Sequence, residues 1–93
     1  MLRDKPARHD PDEIAIAALG FIAGDPERLG RFLALTGLGP GTLRAAAADP
    51  GFLARVLDFL AEDESALIAF AANQGFQPEA VMRARQRLTG EAG

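Results

Sequence analysis

Apolar residues recur along the chain at intervals of three and four and nowhere alternate, so each patterned stretch reads as a helix. Five of the six prolines, Pro11, Pro26, Pro40, Pro50 and Pro78, open such stretches. A proline at the first helical position loses nothing, because its missing N–H has no intrahelical partner there, whereas inside a helix it would break the ladder. The residues before them are Asp10, Asp25, Gly39, Asp49 and Gln77. Asp accepts an orphan N–H at a helix start and Gly adopts the cap backbone freely, while Gln77 is a poor cap. Gly24, Gly37 and Gly75 follow apolar runs, where a left-handed residue would close a helix. The pattern predicts an all-α chain with six short helices over about 11–23, 26–36, 40–48, 50–61, 64–74 and 78–88. Residues 1–10 and 89–93 read as disordered tails around one helical domain, 11–88. Connections this short force successive helices to pack as neighbours.

Shifted by 38 residues, the chain matches itself. Leu19, Phe21, Asp25, Leu29, Phe32, Gly37 and Pro40 meet Leu57, Phe59, Asp63, Leu67, Phe70, Gly75 and Pro78, and Leu38 and Leu43 meet Phe76 and Val81. The self-similarity predicts a compact bundle of two pseudo-symmetric three-helix units, about 11–48 and 49–88. The segments 11–23 and 50–61 hold the fewest polar residues and are expected to cross at the centre; the second admits only Arg55 and Asp58. Gly20 and Gly30 fall in mid-helix, where each costs about 1 kcal/mol relative to Ala. Close approach of a neighbouring backbone is the expected reason for them, with ligand contact as the alternative.

The stretch TGLGPGTLRAAA, residues 36–47, has the look of a hairpin that grips a nucleic-acid backbone. Its counterpart NQGFQPEAV keeps Gly75, an apolar residue and Pro78 but has Gln77 in place of Gly39. What the two share is a helix stop, an apolar plug and a helix start, so Gly37, Pro40, Gly75 and Pro78 read as structural corners. Nucleic-acid binding through residues 36–44 is the alternative, and it needs free N–H groups at both glycines and basic residues nearby. Only Arg44 is close.

Composition narrows the choice. A 93-residue chain without cysteine has neither disulfides nor thiolate metal sites, so packing alone holds its core. A net charge of −3 argues against a partner that needs a basic field, whether nucleic acid or an anionic membrane. The start MLRDKPARHD has charge and no apolar stretch, so it does not read as a signal peptide. The longest apolar run, Ile14–Ala23, is about half of the roughly 20 residues a bilayer span requires. A cytoplasmic protein is expected.

Chemistry is sparse. His9 lies in the N-terminal tail, and Ser65, Thr36, Thr42 and Thr89 have no base beside them in the pattern. No phosphate loop, dinucleotide fingerprint or metal-spaced cluster occurs, so no catalytic residue, cofactor or metal is expected. An enzyme would need a pocket lined by residues such as Arg55, Asp58 and Glu62. Most acids sit at helix starts, where the macrodipole favours them, and Glu62-Asp63-Glu64 reads as a solvated cap rather than a cation site. Arginines outnumber lysine nine to one. Arg28 and Arg31 on the second helix, Arg44, and Arg83 and Arg87 near the chain's end form the candidate interaction surface, if they converge. The expected role is a non-catalytic protein-interaction or structural module, with a protein partner or a second copy as its ligand.

GFIAGDPERLGRFLALTGL, the Asp49-Pro50 pair and VLDFLAEDESALIAFA together resemble a bacterial family of small proteins known only as a domain of unknown function. The resemblance covers roughly residues 12–88. It implies an acidic residue before the proline of the first corner, where this chain has Gly39. It supports the helical architecture and implies no activity, cofactor or catalytic residue.

Overall fold

A computed structural model of the chain describes residues 10–89. The expected tails, with His9 and the basic residues Arg3, Lys5 and Arg8, lie outside the described residues except for Asp10 and Thr89. Those two residues cap the first and last helices. Among the described residues there are six α-helices and one 3-10 turn: α1 Pro11–Ala23, α2 Pro26–Thr36, a 3-10 turn Pro40–Thr42, α3 Leu43–Ala46, α4 Pro50–Ala61, α5 Glu64–Gln74 and α6 Pro78–Leu88.

The starts follow the proline and aspartate chemistry. Asp25 Oδ1 accepts from the N–H of Glu27 at 3.1 Å, Asp49 Oδ1 from Gly51 at 3.0 Å and Asp63 Oδ1 from Ala66 at 3.2 Å. Asp10 and Gln77 are extended and make no side-chain cap. The stops divide. Gly37 and Gly75 take φ of 75° and 78°, the left-handed region that glycine enters without strain. At Gly75 the ending is a Schellman motif: Phe76 N–H donates to Ala71 O at 2.8 Å, and the Phe76 ring packs 5.7 Å from that of Phe70. At Gly37 a single bond runs to Leu33 O at 2.8 Å, and Leu38 N–H goes instead to Thr36 Oγ1 at 3.4 Å. Gly24 departs from expectation, with φ of −76°. Only Gly24 and Asp25 separate α1 from α2, so the last turn of α1 tightens into i→i+3 bonds and the reversal falls on extended Asp25.

The third helix also differs from the predicted 40–48. It is a 3-10 turn followed by one α turn. Both the N–H and the hydroxyl of Thr42 point back to Gly39 O, at 3.1 and 2.9 Å, and this holds the tighter i→i+3 spacing. Residues 43–48, mostly alanine, bury no side chain fully and so offer little packing to extend the helix.

α1 and α4 pack against each other as expected, and α6 packs against both, so three helices rather than two form the centre. Ile14, Ala15, Ala18 and Ile22 of α1 meet Leu53, Val56, Leu57 and Leu60 of α4 and Val81 and Ala84 of α6 in one core cluster. Two ring groups flank it: Phe32 lies 5.8 Å from Phe52 and 5.2 Å from Phe59, and Phe21 lies 5.5 Å from Phe70. The 38-residue shift relates the pair Phe32–Phe59 to the pair Phe70–Phe21. The third helices of the two units are unlike, one turn in α3 against eleven residues in α6.

The mid-helix glycines do not have the expected explanation. Gly20 and Gly30 are exposed, and a Cβ on either would meet nothing within 4 Å. No neighbouring backbone requires them. Both residues sit on outward faces, which the sequence pattern alone does not distinguish from packed ones.

Candidate functional site

The candidate arginines differ in their surroundings. Arg28 is not on a free face: its Nη1 donates to Asp25 Oδ2 at 2.8 Å, and its guanidinium lies over the Phe21 ring, 5.3 Å from the centroid. Asp25 is held by the cap at the start of α2 and Phe21 by the end of α1, so the tight α1–α2 link brings both to Arg28. Arg28 therefore fastens the α1–α2 corner, as a cation–π contact and ion pair. Arg31, Arg44 and Arg87 are exposed. Arg83 borders an open groove of about 460 Å³ along α6, with Pro78, Glu79, Met82, Arg85 and Gln86. Its described lining comes from α6 alone, so it is a helix face rather than an enclosing pocket.

The more developed site lies between α2 and α4. Phe32 and Phe59 form the floor, with Leu35 and Thr36 on the α2 side and Arg55, Asp58 and Glu62 on the α4 side. The helix repeat explains the lining: Phe32, Leu35 and Thr36 share one face of α2, and residues 55, 58 and 59 of α4 form a stripe that its C-cap Glu62 continues. Elsewhere α4 is buried among its neighbours through Phe52, Leu53, Val56, Leu57 and Leu60. That stripe is the outward face of the most buried helix. Leu35 is 70% exposed, the highest value among the described large apolar side chains, against about half for Ile16 and Ile68. Single exposed apolar residues need no explanation, but Leu35 borders a cleft with an aromatic floor.

Polar groups in the cleft are partly engaged. Asp58 accepts from Arg85 Nε of α6. The Thr36 hydroxyl donates to Phe32 O at 3.0 Å. Arg55 and Glu62 are exposed and have no ion-pair partner among the described residues. Arg55, Asp58 and Glu62 thus do come together, as an active site would require. The cleft measures about 280 Å³, just below the roughly 300–1,000 Å³ typical of small-molecule sites. It has room for one or two side chains. Leu35 is the residue that sequence reasoning missed. The available signal was that it stands off the stripe of Leu29, Phe32 and Leu33, and that its 38-residue counterpart is Asn73.

At the first corner, the Gly37 N–H is bonded to Leu33 O and Leu38 packs against the core. Pro40 and Pro78 open the 3-10 turn and α6. Among the described residues no group of three His, Cys, Asp or Glu is placed to hold a metal ion, and no helix is long and apolar enough to cross a membrane.

These features define a small all-helical protein with a side-chain-sized apolar cleft between two of its helices. The sequence matches, over residues 8–91, the family described as protein of unknown function DUF3572, and the chain belongs to that family. No curated protein and no solved structure matches it.

Proposed function

We propose that the chain is a non-catalytic protein-interaction module that works through the α2–α4 cleft. The observation that carries the reading is Leu35, 70% exposed at the edge of a Phe32–Phe59 floor. An apolar anchor over an aromatic floor with a charged rim is the usual makeup of an interface centre. The internal repeat adds support. Phe32 and Phe59 have phenylalanine counterparts, Phe70 and Phe21, as a scaffold would require. Leu35, Arg55, Asp58 and Glu62 meet Asn73, Ala17, Gly20 and Gly24 instead, so the rim is what the second unit does without. Against catalysis stand the small volume, the engagement of Asp58 by Arg85, and a threonine whose hydroxyl serves the end of its own helix. The competing nucleic-acid reading of residues 36–44 has less support, because the Gly37 N–H is already bonded and the net charge is −3.

A photo-crosslinking residue at position 35, compared with one at exposed Ala69 on α5, tests this in the cell that makes the protein. Discrete protein adducts from position 35 alone are expected. Equal or absent labelling at both positions would overturn the reading.

A further inference from the structure

We infer that the occupant of the α2–α4 cleft is a second copy of this chain, docked about a two-fold axis with the two α4 helices antiparallel; this rests on the interaction reading above. A two-fold interface must be self-complementary, so that if residue i meets j, then j meets i. Exposed Arg55 and Glu62 meet that condition. Arg55 on α4 and Glu62, the C-cap that follows it, lie seven residues apart on one side of the helix, about 10.5 Å along the axis at helical rise, and do not pair with each other. An antiparallel copy whose axis passes between Asp58 and Phe59 sets Arg55 against Glu62 of the partner subunit, and its own Glu62 against the partner's Arg55. Each of these two charges, unpaired among the described residues, then gains one partner across the axis.

The apolar parts have the same reciprocity. The face carries a knob, Leu35, and beside it a hole floored by Phe32 and Phe59. Asp58, which would otherwise repel its symmetry mate near the axis, is bonded to Arg85 within the chain. A foreign partner would have to supply a knob, a hole and both charges at this spacing. A second copy already has them.

The test uses the full chain in sedimentation or light scattering from about 10 µM to 1 mM, where weak dimers appear. The expected species is twice the 9.8 kDa chain. Arg55→Glu alone and Glu62→Arg alone place like charges opposite each other at both symmetric contacts, and each should weaken self-association about tenfold or more. Mixing the two variants restores opposite charges at both contacts, so a mixed dimer should form where neither variant dimerises alone. Both positions are exposed, and circular dichroism checks that the variants fold. A chain that stays monomeric throughout overturns the inference, as does a dimer indifferent to either reversal or a mixture that fails to associate. If the chain is monomeric while position 35 still crosslinks to a protein of different mass, only the self-pairing falls. If it is monomeric and position 35 yields no adduct, the interaction reading falls with it.

Discussion

Arg85 of α6 donates its Nε hydrogen to Oδ1 of Asp58 on α4 and so ties together two of the three helices that build the core. The pair sits where the core meets the cleft. It removes one carboxylate from the rim and leaves Arg55 and Glu62 as the charges that face outward.

Its contribution to stability should nonetheless be small. The Arg85 and Asp58 side chains are 37% and 46% exposed, so water screens the attraction. Asp58→Asn and Arg85→Gln are each expected to cost less than about 1 kcal/mol, with a coupling energy below that in a double-mutant cycle. Thermal melts should shift by a few degrees at most, and less in about 1 M salt. A loss of about 3 kcal/mol or more would mean that the pair behaves as a buried one.

The glycines divide into two groups with opposite signs. Gly37 and Gly75 have φ of 75° and 78°, and alanine there is expected to destabilise by about 1 kcal/mol. Gly20 and Gly30 are exposed, helical and have open space at the Cβ position, so alanine is expected to stabilise by about 0.5–1 kcal/mol. Four chemical denaturations decide it. A destabilising Gly20→Ala would show that something approaches that face.

Helix boundaries were legible because the chain marks them with residues whose backbone chemistry is local. Proline at a first turn and glycine in the left-handed region act within four residues: proline opens α1, α2, α4 and α6, and a left-handed glycine closes α2 and α5. Legibility failed where the outcome depended on a neighbour. Gly24 looks like Gly37 in sequence, but a two-residue link to α2 leaves it right-handed. Arg28 looks like a surface cation until the α1–α2 corner brings Phe21 beneath it. Arg55, Asp58 and Glu62 were recognisable as one face of a helix, yet Leu35, from another helix, joined them only through packing.

The aspartate caps should rank by the bonds they make. Asp25 caps Glu27 and also holds Arg28, so Asp25→Ala is expected to cost about 1–2 kcal/mol. Asp49→Ala, which loses one cap bond, should cost about 1 kcal/mol, and Asp10→Ala, which has none to lose, only a few tenths. Urea midpoints in the order Asp10→Ala, Asp49→Ala, Asp25→Ala, from most to least stable, are the expected result. The reverse order would show that these bonds do not set the helix starts.

Phe32 and Leu35 separate what holds the fold from what the fold presents. They stand three residues apart on α2, one 1% exposed between Phe52 and Phe59, the other 70% exposed at the cleft edge. Phe32→Ala removes a ring from a packed cluster and should cost about 3–5 kcal/mol, a large share of the roughly 5–15 kcal/mol that stabilises a small domain. Leu35→Ser removes apolar surface that is already in water, so its stability should change by no more than about 0.5 kcal/mol. If the cleft is an interface, Leu35→Ser abolishes association while leaving the melting curve in place. Phe32→Ala would lower both together. Should Leu35→Ser destabilise the chain as Phe32→Ala does, Leu35 belongs to the core and the cleft loses its anchor.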